Sequence, residues 1–249
     1  MYNTELRIVV AMILVLSLGQ VKAQIVTDRP DQTESSSTVG KGNLQIEAGL
    51  LIGSIGDEPL STRQILAPTT LLRYGITKGI ELRFMGQLES LKLQDQVFWG
   101  ISDIEIGAKF QLYQKEGSRS EVAFLTHLVL PTGPAELTND AFGTINKLAV
   151  SHEITDYMGL GYNIGFNYLG FGKGDLTYSL VLGVGLGEKV SIYAEPYGEY
   201  VNLDNFLHNF DAGLTYLIEE NLQLDVSFGL GLNHRMNYVS VGCCWLIER

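Results

Sequence analysis

The feature that most constrains the fold is an alternation of apolar and polar residues that runs from about residue 43 almost to the last residue. From Ile104 to Leu112 every second residue is apolar, and the residues between them are charged, polar or glycine. The stretches 160–168 and 222–232 repeat this pattern. Side chains on a β-strand point alternately to opposite faces, so a period of two predicts strands. The chain is therefore predicted to be all-β.

The apolar face of these strands is too bulky to point inward. A dozen strands would fill the inside of a soluble barrel with Leu, Ile, Phe and Tyr side chains. If the faces are reversed, the apolar residues meet lipid and the polar residues line a lumen. Closing the sheet also pairs every backbone polar group, which lipid requires. The sequence predicts a transmembrane antiparallel up-and-down β-barrel of about 12 strands, and a count of ten stays open.

The joints between the predicted strands alternate between tight polar turns and longer stretches, chiefly 54–63, 91–99 and 131–143. Outer-membrane barrels have short periplasmic turns and longer outer loops, so both termini are predicted to be periplasmic. Pro196 interrupts a strand and predicts a bulge there. The predicted strands span residues 43–53, 64–76, 79–90, 100–113, 119–130, 144–155, 158–170, 175–187, 189–201, 206–218, 221–233 and 238–248.

The chain divides into three parts. Residues 1–23 have a basic start, a short apolar run and small residues before Gln24, which is typical of a cleaved signal peptide. Residues 24–42 are polar and without periodicity, and they form either a periplasmic tail or a plug. Residues 43–249 form the barrel. After residue 23 no apolar run is long enough for a transmembrane helix.

Net charge and cysteine content limit the classes of molecule that the protein is expected to bind. The formal net charge is −11 and there is no basic stripe, which argues against nucleic acid. Cys243 and Cys244 are adjacent and predict free thiols. The sequence predicts no cofactor and no metal site. The expected partners are outer-membrane lipid, the barrel-insertion machinery and an unidentified small solute.

The polar face of the strands supplies a candidate lumen lining. The lining is either a selectivity filter or an ionic network that fills a narrow barrel. Its three cations against eight carboxylates predict a preference for cations. The two tyrosines in this set share a face with two of the carboxylates and are candidates for solute contact. The predicted lining is Glu47, Arg73, Glu81, Arg83, Asp103, Glu105, Lys109, Tyr193, Glu195, Tyr197, Glu199, Asp211 and Asp225.

The polar segment before the first strand carries closely spaced charges at Asp28, Arg29, Asp31 and Glu34. It contains Pro30 and lacks alternation, so it cannot form a barrel strand. Because it directly precedes the first strand, it can fold back into the lumen as a plug. Arg29 would then meet a lumen carboxylate such as Glu47, Asp211 or Asp225. The alternative is a disordered periplasmic tail.

Catalysis finds little support in the sequence. The four histidines are scattered without metal-ligand spacing, and no GxSxG motif is present. His127 shares the polar face, but no serine pairs with it in the sequence. The protein is therefore predicted not to be an enzyme, and a membrane-embedded hydrolase is a distant third alternative.

Several motifs resemble a known family of outer-membrane transporters. They are TDRPDQTES at residues 27–35, KGNLQIE at 41–47, LRYGIT at 72–77, ELR at 81–83, SHEITD at 151–156, GLTYL at 213–217 and NLQLD at 221–225. They are similar to the family labelled "MetA-pathway of phenol degradation". The resemblance implies a barrel and the passage of small solutes, aromatic compounds among them.

These observations lead to one functional hypothesis and a rival from another class. The hypothesis is an outer-membrane channel or facilitator for small solutes. The rival is a plugged structural or adhesion-type barrel without transport.

Overall fold

The computed structural model describes residues 25–57 and 61–249, so the signal peptide predicted for residues 1–23 lies outside the described residues. The described chain is dominated by antiparallel strands. They are β1 (Leu44–Ile55), β2 (Thr62–Thr77), β3 (Ile80–Leu93), β4 (Gln96–Ile101), β5 (Ile104–Gln114), β6 (Ser120–Leu130), β7 (Gly143–Thr155), β8 (Met158–Tyr168), β9 (Asp175–Gly185), β10 (Val190–Val201), β11 (Asn205–Glu219), β12 (Leu222–Gly231) and β13 (Met236–Ile247).

The strands close into a barrel. Strands adjacent in sequence are paired, except β4 and β5, and the circle is completed by pairing between β1 and β13. Strand β3 pairs with β5 over one half and with β4 over the other half. Only residues 102 and 103 separate β4 from β5, so these two strands fill one position of the wall. The barrel therefore has 12 positions, which confirms the predicted fold class and excludes the count of ten.

One predicted joint is wrong. Residues 91–99 were expected to form a long loop, but β3 continues to Leu93 and β4 begins at Gln96. The turn has only two residues, and Gln94 adopts a positive φ of 54°. Alternation in fact continues through Leu91, Leu93 and Val97 on either side of the turn. The hairpin was not predicted because its turn contains neither glycine nor proline.

The strand proline Pro196 does not behave as expected. At Pro196 the register between β10 and β11 is continuous, so the predicted bulge is absent. Proline has no N–H to donate, and the pairing between β10 and β9 is interrupted at Glu195 and Pro196. The register of these two strands is the same before and after the interruption. The register shift occurs at Pro68, between Leu66 and Thr69 of β2. Proline cannot donate to the ladder, which makes a shift tolerable there.

The two ends of the barrel differ. At one end, which we call the short-turn end, the joints span residues 78–79, 115–119, 156–157, 186–189 and 220–221. At the other end, the long-loop end, they include residues 56–61, 131–142 and 169–174. This asymmetry agrees with the predicted alternation of joints.

The distribution of side chains is the reverse of that in a soluble protein. The largest fully buried side chains are mainly charged and include Arg73, Lys109, Glu47 and Glu81. The outer surface carries exposed Leu, Ile, Val, Phe and Trp side chains along the strands. Part of the inner face is apolar, however, because Ala123, Leu125 and Ala149 are fully buried on β6 and β7. In the described residues no helix is long and apolar enough to span a membrane.

A charge on the outer face should be costly in proportion to its depth. Val241 lies at the middle of β13 and pairs with Leu50 and Val226, whereas Ile247 ends the same strand on the same face. We expect Val241→Arg to lower the free energy of unfolding by about 2–4 kcal/mol and Ile247→Arg by about 0–1 kcal/mol. Urea unfolding from lipid vesicles measures both. Equal losses would show that the outer face does not meet lipid.

Candidate functional site

Residues 25–42, which we call the inner segment, lie inside the barrel and cross its lumen. Gly42 N–H donates to the carbonyl of Gly75 at 2.7 Å, which ties the segment to β2 at the short-turn end. Val39 N–H donates to Glu81 Oε2 at 2.7 Å. Further along, Glu34 N–H donates to Asn163 Oδ1 at 2.7 Å on the far wall. The segment is therefore bonded to both sides of the lumen.

Asp28 is the centre of a buried charge network. Its carboxylate lies 2.5 Å from Arg83 Nη1, 2.9 Å from Lys109 Nζ and 3.3 Å from Arg73 Nη1. Its own N–H donates to Glu47 Oε2 at 3.0 Å. One carboxylate of the inner segment thus contacts three cations of the wall, which would otherwise repel one another.

The wall and the inner segment both supply further counter-charges to the same cations. Arg73 donates to Glu47 Oε1 at 3.0 Å and to Glu81 Oε1 at 2.9 Å. Arg83 Nη2 donates to Glu34 Oε2 of the inner segment at 2.7 Å. Arginine presents several donors in a fixed fork, which is why one side chain can bond carboxylates on different elements.

Arg29 lies across two glycines of neighbouring strands. It donates to Asp225 Oδ1 at 3.0 Å and to Ser240 Oγ at 2.9 Å. Gly49 and Gly242 are paired across β1 and β13, and a Cβ at either position would collide with the guanidinium. The glycines therefore leave a space that the guanidinium fills. Asp225 is one of the three carboxylates that the sequence offered as a partner for Arg29.

The far part of the inner segment, residues 31–33, is held by carboxylates. Gln32 N–H donates to Glu195 Oε2 at 2.7 Å, and the Thr33 hydroxyl contacts Glu195 Oε1. Nearby, the Tyr238 hydroxyl donates to Asp211 Oδ2 at 2.6 Å. We call residues 31–33 the tip of the inner segment. No arginine or lysine is bonded to Glu195 or Asp211 in the described chain.

The two aspartates of the inner segment are shifted in opposite directions. Burial by itself raises the pKa of Asp28, but the positive charges of Arg73, Lys109 and Arg83 hold it well below its ordinary value. Burial also raises the pKa of Asp31, and the neighbouring carboxylates of Glu195 and Asp211 raise it further, to well above its ordinary value. Asp28, Arg29 and Glu34, which we call the base of the inner segment, are thus held by ion pairs, and the tip lies in an acidic environment.

Two other predicted lining residues, Glu105 and Asp103, have local roles. Arg83 Nε donates to His127 Nε2 at 2.9 Å, so the imidazole must carry its proton on Nδ1, which lies 2.6 Å from Glu105 Oε2. Both ring nitrogens are occupied by these residues, and neither is bonded to a serine. Asp103 lies at the rim, where it accepts from Thr132, Gly133 and Asn139 N–H groups at 3.0 Å each. It anchors the 131–142 loop and does not line the middle of the lumen, because the wall strand is interrupted there.

The remaining predicted lining residues lie on the inner face of β10. Glu195 is fully buried, while Tyr193, Tyr197 and Glu199 are half-buried along the same face. The sequence reasoning missed several polar partners of the inner segment, namely Gln45, Thr69, Asn163, Ser179, Tyr238 and Ser240. Their places on the polar side of the alternation are a usable signal, but the candidates were selected by charge and, for Tyr193 and Tyr197, by possible solute contact.

These features define a class of protein: a closed, lipid-facing antiparallel barrel whose N-terminal segment is bonded inside its lumen. A family model described as "Putative MetA-pathway of phenol degradation" matches residues 27–242, and the chain belongs to that family. The predicted resemblance is thereby confirmed. A comparison with curated protein sequences finds no match.

Solved structures support the fold. The chain is similar to the COG4313 outer membrane channel from Pseudomonas putida F1, with a TM-score of 0.72, 10% identity, and coverage of 85% of this chain and 98% of that chain. It is also similar to the KdgM porin in complex with disordered oligogalacturonate, with a TM-score of 0.57, 11% identity, and coverage of 82% and 99%. At this identity the likeness concerns the fold.

Removing the charge of Asp28 should leave three buried cations without their shared partner. We expect Asp28→Asn to lower the free energy of unfolding by about 3–5 kcal/mol. Asp57→Asn is the matched control, because the pair between Asp57 and Arg235 is exposed and should contribute under about 1 kcal/mol. Urea unfolding of both variants measures the difference. Similar losses would argue against a network that depends on Asp28.

The tip should respond to pH. Because the pKa of Asp31 is raised when the segment is bound, binding favours the protonated carboxyl and weakens as the pH rises through that raised value. Hydrogen exchange of the tip amides, corrected for the intrinsic rate, should therefore become faster at high pH. Asp31→Asn should reduce this pH dependence, and the carboxylates of Glu195 and Asp211 account for what is left. The lowered pKa of Asp28 works the other way and matters only at acid pH below its ordinary value. Equal pH dependence in both proteins would contradict the role of Asp31.

Proposed function

We propose that the protein is an outer-membrane channel or facilitator for small solutes, and that the inner segment is its plug. The single observation that carries the proposal is that a separable segment, and not the wall, occupies the polar lumen. All pairings that close the barrel are made by residues 44–247, so the wall does not need the inner segment for its backbone hydrogen bonds. Displacement of the segment would open a path without breaking the sheet.

The charges left in an opened lumen support a preference for cations. With the inner segment displaced, Arg73, Arg83 and Lys109 would face seven carboxylates of the predicted lining, since Asp103 is engaged at the rim. Rings of acidic side chains favour cation passage through a pore. Neutral solutes would be less affected by this surplus.

Aromatic side chains near the tip support small aromatic compounds as one class of solute. Tyr193 and Tyr197 lie on the inner face of β10 beside Glu195, and Tyr238 faces them from β13 with its hydroxyl on Asp211. Flat aromatic rings can stack against such side chains. The family description, which refers to phenol degradation, points the same way.

The proposal includes the cellular setting. Residues 1–23 would direct export and be cleaved, the insertion machinery would place the barrel in the outer membrane, and the short-turn end would face the periplasm. The asymmetry of the joints supports that orientation. No catalytic role is proposed.

The rival, a permanently plugged structural barrel, is favoured by the strength of the Asp28 network. Three cations with closely matched carboxylates resist displacement because opening the network would leave charges unpaired. The two functions differ in one measurable property, which is whether the intact chain conducts.

Planar-bilayer conductance distinguishes them. We expect the mature chain to open intermittently, and a variant lacking residues 24–36 to stay open with a larger, cation-selective conductance in a salt gradient. Arg29→Ala should raise the opening frequency, because it removes the contact with Asp225. Gly49→Ala should do the same without any change of charge, because its Cβ would displace the Arg29 guanidinium.

The matched control is Gly183→Ala. Gly183 is also in a strand, but an added Cβ there meets no atom closer than 4.0 Å, so conductance should equal that of the unmodified chain. If the deletion variant and the intact chain are equally non-conducting, the barrel is structural and the channel proposal is wrong.

A further inference from the structure

A polar groove lies on the outer surface at the long-loop end. Its volume is about 590 Å³, and it lies between the adjoining ends of β1 and β2 and the 232–235 turn. Its lining includes Ser54, Arg63, His234, Arg235 and Asn237. It does not overlap with the contacts of the inner segment.

The groove begins where the apolar outer face ends. On β1, β12 and β13 the outward side chains next to the groove are Ile52, Leu230 and Val239, and all three are exposed. One position further along, Ser54 and Asn237 take the outward places and are hydrogen-bonded to each other at 3.3 Å. On β1 and β13 this change from aliphatic to polar side chains marks the upper boundary of the lipid-facing band, whereas beyond the end of β12 the exposed Leu232 continues the apolar face. The groove thus lies at the depth of lipid head groups.

Two cations beside the groove are arranged unfavourably unless an anion lies between them. Arg63 of β2 pairs with Lys92 of β3 in the register, and both side chains are exposed on the outer face. Like charges directly opposite each other destabilise a sheet. In the part of the chain that the structure describes, neither forms an ion pair. Arg235 adds a third cation, which is bonded to Asp57 at 2.7 Å, and Asp95 lies in the turn after β3.

We propose that this groove, with Arg63 and Lys92 at its edge, binds the phosphorylated head group of a lipid in the outer leaflet. Arginine and lysine are the residues that recognise phosphate, and basic groups at a membrane surface attract anionic lipids. A lipid fits better than a free anion because the lining of the groove includes Leu230, an exposed apolar side chain of the lipid-facing band. Acyl chains would lie along Ile52, Leu230 and Val239. The leaflet assignment rests on the orientation given under the proposed function.

Binding can be measured on the intact protein in detergent by native mass spectrometry, with bisphosphorylated lipid A as the probe. We expect a bound lipid on the unmodified chain and at least about tenfold weaker binding to the double variant Arg63→Gln/Lys92→Gln. The matched control is Lys78→Gln/Lys115→Gln, which removes the same charge from exposed positions at the short-turn end. It should bind lipid A as the unmodified chain does. Dephosphorylated lipid A should bind weakly to all three proteins.

Two results would overturn the proposal. The first is equal affinity of the Arg63→Gln/Lys92→Gln variant and the unmodified chain. The second is full displacement of lipid A by millimolar inorganic phosphate, which would indicate a free-anion site. Because conductance plays no part in this measurement, failure of lipid binding is distinguishable from failure of the channel proposal.

Discussion

The structure depends on the neutralisation of charge inside a closed barrel. Lipid requires every backbone group of the wall to be paired, so the sheet must close, and closure places one face of every strand in a narrow interior. Because lipid takes the apolar face, the interior receives the polar one. Arg73, Arg83 and Lys109 then lie close together in a confined space, where unpaired charges are very costly. Asp28 contacts all three and reduces that cost.

The inner segment is consequently part of the electrostatic balance of the barrel. Its base carries Asp28, Arg29 and Glu34, each of which meets an opposite charge on the wall. Its tip carries Asp31 and lies beside the carboxylates of Glu195 and Asp211. These carboxylates accept hydrogen bonds from a backbone amide of the tip and from a tyrosine hydroxyl. A segment held by ion pairs at its base and by hydrogen bonds at an acidic tip has two attachments of different chemistry. The tip is the attachment that protonation of Asp31 strengthens and deprotonation weakens.

Alternation made most of the fold predictable, because a period of two specifies both the strands and their two faces. The exceptions have identifiable causes. The β3–β4 hairpin was missed because its turn contains Gln94 and Asp95 in place of glycine or proline. The bulge assigned to Pro196 was wrong because one strand of the ladder can lose a donor without changing register. Asp103 continues the alternating pattern, yet the chain breaks there, and its carboxylate caps loop amides.

The candidate site was predictable to the extent that charge determined it. Charge alone identified Asp28, Arg29 and Glu34, and strand parity identified most of their charged surroundings. The neutral half of the site was not predictable in this way. Asn163, Tyr238 and Ser240 share the polar face with many residues that bond to nothing in the inner segment. Which of them meet the segment depends on its path across the lumen, a three-dimensional property without a local signature.

The glycines of the inner face connect these observations. Gly49 and Gly242 weaken their strands individually, since glycine has no side chain to pack and loses more conformational freedom on folding. Together they form the flat surface on which the Arg29 guanidinium lies, and Gly75 lets the backbone of residues 39 and 40 approach β2 closely. Gly49 also adjoins a register shift between β1 and β2, but at all three positions an added Cβ would collide with atoms of the inner segment. Their placement under the inner segment, on strands otherwise rich in side chains, indicates that the wall is shaped to receive it.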